Sequence, residues 1–171
     1  MPGGPSQGGT VTDTTDTTRT TAAITVAEAQ ELLSRWWHLY DEGKMDALAE
    51  LFTPDAVFHC RSDSGATPYE EFVTAHLSGR DEVMAWQRQH RADSPYPLRH
   101  HGTNFHLTER AAGQVRFSSY LFVTQVENVV PVGVSSAVVE GTIRVEGGEL
   151  RLSEMELVLD MTDSVAFKDR A

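Results

Sequence analysis

The chain has 171 residues, 40% apolar and 23% charged, which is enough to bury one substantial core. A net charge of −11 argues against a nucleic-acid partner, because a phosphate backbone would be repelled over most of the surface. No apolar run approaches the roughly 20 residues that span a bilayer. The N-terminus has no charged-then-apolar leader pattern, and the single Cys60 cannot form an internal disulfide. The expected setting is the cytoplasm, with no membrane partner.

Residues 1–22 are a Gly, Pro, Ser and Thr/Asp-rich segment that cannot bury enough surface to offset its ordering entropy. They are expected to be a disordered tail, followed by one domain over 23–165 and a short C-terminal tail over 166–171. The domain opens with Thr25 as an N-cap and Glu28 three residues on, the signature of a capping box. Val26, Ala29, Leu33, Trp36 and Tyr40 then follow helical spacing to about Glu42, where Gly43 stops the helix. Asp41 lies about 100° round from Tyr40 and one turn beyond Trp37. A carboxylate in the last turn faces the negative end of the backbone dipole. A group placed against its own electrostatics is a candidate for acid–base chemistry. The alternative is a solvated Asp41 that merely flanks the stop.

Residues 45–52 read as a second helix ended by Thr53-Pro54, and 56–60 as a short strand. Two further helices are expected over 68–77 and 81–90, then a Pro-rich loop over 92–97. Four long runs rich in Val, Phe and Thr follow, at 98–109, 115–127, 132–145 and 149–160, with short breaks between them. Short spacers favour hairpins, so the expected architecture is α+β, with N-terminal helices covering one face of a curved, mostly antiparallel sheet.

Strand alternation sorts the polar residues by face. Over 98–109, His101, Thr103, Phe105 and Leu107 share one side, and His100, Gly102, Asn104 and His106 the other. The first set ends in large apolar groups, so His101 is expected to point inward, either as a satisfied core histidine or as a partner of Tyr40 and Asp41. In the first strand His59 shares a face with Val57, and which face lies inside stays open. Gln125 ends a mostly apolar face shared by Val115, Phe117, Leu121 and Val123, and fits either a pocket wall or the edge of the core. Ser136 falls with Val134 and Val138. The seven histidines match no zinc spacing, so no metal is expected. His59 and Cys60 point to opposite faces, which argues against a nucleophile pair.

The element order, with LYDEGKMDALAELFTPDAVFHC, SGRDEVMAW and LRHHGTNFHL, resembles the SnoaL-like branch of the nuclear transport factor 2-like superfamily over about residues 25–162. That branch includes polyketide cyclases and scytalone dehydratase. The resemblance implies a cone-shaped sheet with a deep apolar pocket, and a homodimer formed through the outer sheet face, where Tyr120 and Phe122 would lie. The local match to scytalone dehydratase places Tyr40 and Asp41 as its helix-end pair and His101 as its catalytic histidine. His59, Gln125 and Ser136 fall at other pocket positions, and Val138 replaces an asparagine. Trp37 joins the substrate-binding set.

What this implies is cofactor-free acid–base catalysis, by a dehydratase, cyclase or isomerase, on a hydrophobic oxygenated small molecule of polyketide type. His101 would move the proton, Asp41 would orient it, and Tyr40 would bond the developing oxygen. Two alternatives stand beside it: a non-catalytic binder of a hydrophobic ligand, and the small subunit of an oxygenase-type assembly.

Overall fold

A computed structural model describes residues 23–169; the expected tail over 1–22 lies outside the described residues. Helix α1 (Val26–Asp41) begins at the anticipated capping box: the Glu28 N–H donates to Thr25 Oγ1 at 3.2 Å, and the Thr25 N–H to Glu28 Oε2 at 3.0 Å. Gly43, at φ 65°, turns the chain into α2 (Met45–Ala49). Strand β1 (Phe52–Ser62) is longer than the sequence suggested and takes over Phe52, which was assigned to a helix.

The expected helix over 68–77 is corrected. Only α3 (Glu70–Val73) is helical, and β2 (Ala75–Ser78) follows it. Ala75 to Ser78 pair antiparallel with Cys60 to Val57, so ladder hydrogen bonds to β1 outweigh local helix preference. Helix α4 (Arg80–Asp93) then leads into β3 (Leu98–Ala111), β4 (Gln114–Glu127), β5 (Val130–Glu146) and β6 (Glu149–Leu159). A short 3-10 turn, Phe167–Asp169, occupies part of the expected C-terminal tail.

The six strands form one open sheet in the order β2-β1-β6-β5-β4-β3, antiparallel except between β1 and β6. This is the α+β architecture that the sequence implied. Tight turns at Asn128-Val129 and Gly147-Gly148, all at positive φ, close two of the hairpins and match the strands' right-handed twist. Register shifts in β1, β3, β5 and β6 bend the sheet, as inserted residues do. The helices cover its concave face. Phe52, Phe58, Phe117, Ile143, Leu152 and Met155 are fully buried there and form the centre of the core. No described helix is long and apolar enough to cross a membrane.

Candidate active site

Between the helices and the sheet lies a cavity of about 600 Å³. All three tryptophans of the chain, Trp36 and Trp37 from α1 and Trp86 from α4, line it. Phe58, Leu121, Val123 and Leu157 contribute the sheet wall. Flat rings dominate. Trp36 stacks on Tyr40 at 5.7 Å between centroids, Trp37 on His100 at 5.0 Å, and His90 lies between Phe72 and Trp86 at 4.3 and 4.4 Å.

Two hydrogen-bonded pairs present rings at this wall: His100, Tyr40 and His90 line the cavity. The first is Asp41 with His100. Asp41 is 5% exposed, and its two oxygens both serve one residue: Oδ2 accepts from the His100 backbone N–H at 3.0 Å, and Oδ1 from Nδ1 at 2.5 Å. With Nδ1–H so held, a neutral ring keeps its lone pair on Nε2, which has no hydrogen-bond partner among the described residues. The Trp37 face and the Tyr40 edge, 5.3 Å away, fix the orientation of the imidazole.

The second pair is Tyr40 with His90, whose Oη and Nδ1 are 2.5 Å apart. Burial pushes the Tyr40 phenol up to about 12; the Ser94 hydroxyl and the Arg91 charge offset this only in part. Burial, helped by the charges of His100 and Arg91, pushes His90 down to about 4. Both groups are therefore neutral at pH 7, and the direction of their shared hydrogen bond follows the imidazole tautomer. Cys60 also lines the cavity, but burial and the nearby Glu70 carboxylate raise its thiol to about 12, so it stays protonated.

The C-terminus of α1 is held in place by Arg91. Its guanidinium donates to the carbonyls of Tyr40 and Asp41, and to those of Ser94 and Pro95 in the loop after α4. A buried cation thus caps the negative end of the helix that carries the Tyr-Asp pair.

The expected inward histidine is corrected. His101 is exposed and pairs across the ladder with Phe122, and its Nε2 lies 3.0 Å from Thr124 Oγ1; its neighbour His100 meets Asp41 instead. The reason is a bulge. The β3–β4 register shifts between Thr103 and His106, and Asn104 adopts φ 54°. Strict alternation from Phe105 and Leu107 therefore gives the wrong parity for residues before the shift. Gly102 carried the missed signal. A Cβ there would lie 3.1 Å from Trp37 Nε1, so this glycine marks the face against which α1 packs, and His100 shares that face.

His59 and Ser136 also lie outside the cavity. Phe58 and Cys60 face inward, whereas His59 packs beside His76 at 5.0 Å; the Ser136 hydroxyl donates to Asp160 at 2.6 Å. Trp37, Tyr40 and Gln125 do line the cavity, with the Gln125 amide donating to the Glu127 carboxylate. His90 and Gln87 were missed. Both lie on the side of α4 that lines the cavity, at i and i+3 spacing, next to Trp86.

A family model described as a SnoaL-like domain matches residues 21–156. No curated protein matches the chain in sequence. Similar solved structures include an NTF2-like protein with a cystatin-like fold from Novosphingobium aromaticivorans, at 19% identity over 81% of this chain and 83% of that one, TM-score 0.64. ActVI-ORFA from Streptomyces coelicolor is 21% identical over 80% and 97%, TM-score 0.64. The beta subunit of benzoate 1,2-dioxygenase from Burkholderia mallei is 16% identical over 83% and 97%, TM-score 0.63. At these identities the likeness is one of fold.

Proposed function

The chain belongs to the SnoaL-like family of the nuclear transport factor 2-like superfamily, and from that premise we propose a cofactor-independent acid–base enzyme acting on a flat, oxygenated, hydrophobic small molecule. The observation that carries this reading is the Asp41–His100 pair, whose imidazole borders a ring-lined cavity while the carboxylate holds it from behind. His100 Nε2 removes a proton next to a substrate carbonyl, and the C–H electron pair moves into an enolate. Tyr40 bonds the oxygen on which charge develops, in surroundings where an apolar wall strengthens that bond. His100 then returns the proton. Delivered to a leaving hydroxyl, it completes a dehydration; delivered to another carbon, a double-bond shift. If the enolate instead attacks a second carbonyl, a ring closes and His100 delivers the proton to the alkoxide so formed. Asp41 keeps the imidazole in the productive tautomer throughout. Membership of the SnoaL-like family, whose branch includes polyketide cyclases, favours a polyketide-type intermediate as substrate.

The test is a panel of bicyclic β-hydroxy ketones whose dehydration creates a conjugated chromophore. His100→Ala and Asp41→Asn should each lower turnover by about 10²–10⁴-fold while the far-UV spectrum stays unchanged. His101→Ala should leave it within about twofold of the parent. Full activity in His100→Ala would sink the assignment. Tight binding of panel members without conversion would turn the reading into that of a carrier. The outer sheet face, where Tyr120 and Phe122 are 54% and 48% exposed, supports pairing of two copies.

A further inference from the structure

Helix α4 buries one stripe, Val83, Gln87 and Arg91, at i, i+4 and i+8. Arg91 is satisfied by four carbonyls, as described above. Gln87 is not. It is 1% exposed, and neither its amide nitrogen nor its amide oxygen has a hydrogen-bond partner among the described residues. Buried polar groups are ordinarily paired, so an amide left without a partner here carries a desolvation cost that an apolar side chain would not. Gln87 borders the cavity, and so does Trp36, whose indole N–H is also buried and unpaired. These polar atoms have essentially no accessible surface, so the Gln87 amide must turn toward the cavity before a ligand there can meet it.

We propose that Gln87 is the oxygen-recognising residue of the cavity: its amide binds a ring hydroxyl of the substrate, selecting a hydroxylated flat ring over the bare hydrocarbon. A hydroxyl both donates and accepts, so it can pair with either Oε1 or Nε2 of Gln87 once the amide turns toward it. The stacked rings around it take a planar skeleton and reject a globular one. This assignment rests on the reading of the cavity as a substrate site, and deepens it by naming the feature recognised.

Gln87→Met keeps length and flexibility while removing both polar atoms. Calorimetric titration with 1-naphthol and with naphthalene reads the consequence. The parent protein should prefer 1-naphthol by about three- to tenfold, and Gln87→Met should lose that preference. The ligand-free variant should melt about 3–6 °C higher than the parent, because an unpaired buried amide has been replaced by an apolar side chain. In the parent, 1-naphthol should shift the Gln87 side-chain amide and Trp36 indole resonances, and naphthalene should shift them less. A preference retained in the variant would overturn the proposal, as would a lowered melting temperature, which would show Gln87 to be structurally bonded. Because these readouts need no turnover, they separate the recognition claim from the catalytic one: parent and Gln87→Met can be compared whether or not any panel member is converted.

Discussion

His90 lies between Phe72 and Trp86 and meets the Tyr40 hydroxyl, and this position has a consequence for stability. Its ordinary value is 6.5, and burial holds it at about 4 in the native protein. Between those two pH values the unfolded chain takes a proton that the folded chain refuses. Native stability is therefore undiminished above pH 6.5 and falls as the pH drops toward 4. The loss between pH 7.5 and pH 5 should be roughly 2 kcal/mol. Urea denaturation at the two pH values checks this: His90→Phe, which keeps a flat ring between Phe72 and Trp86, should show a shallower pH dependence by about that amount. An unchanged slope would mean that His90 titrates normally. At this scale the sequence singled out a helix end at which Tyr40 and Asp41 are both buried. It could not say which of two adjacent histidines meets Asp41, because a single inserted residue at Asn104 reverses parity along β3.

At the scale of elements, α1 and α4 are coupled by one side chain. Arg91 ties the last carbonyls of α1 to the loop after α4, and hydrogen bonds from a charged donor are worth more than neutral ones. Arg91→Met should cost about 3 kcal/mol, equivalent to a fall in Tm of roughly 6–12 °C for a chain of this size. Differential scanning calorimetry measures it, and a change under 2 °C would show that the cap is dispensable. The same element explains two expectations that came out differently. Periodicity placed α1 correctly, because capping and stripe are local properties of residues 25–41. It misplaced 68–77, because β2 exists only through its ladder to β1, a partner more than a dozen residues away. Arg91 gave no local hint of its role, since its acceptors come from a helix end about 50 residues earlier.

For the whole molecule, the open sheet leaves one face without helices, and Tyr120, Phe122 and Val126 are exposed on β4. If two copies pair through that face, light scattering after size exclusion should give twice the 18.9 kDa chain mass, and Phe122→Glu should give the chain mass alone. A monomeric parent would remove the pairing. A charge of −11 limits nonspecific association, which makes that measurement clean. By itself the sequence determined the fold class, the four C-terminal strands, the capped first helix and the burial of its Tyr-Asp end. These follow from periodicity, composition and turn chemistry within about a dozen residues. Only the tertiary structure decided that His100 rather than His101 meets Asp41, that His90 meets Tyr40, and that Gln87 stays unpaired. Each of these depends on strand register, a bulge or a contact between distant segments, and such relations are set by how elements pack rather than by the residues next to them in the chain.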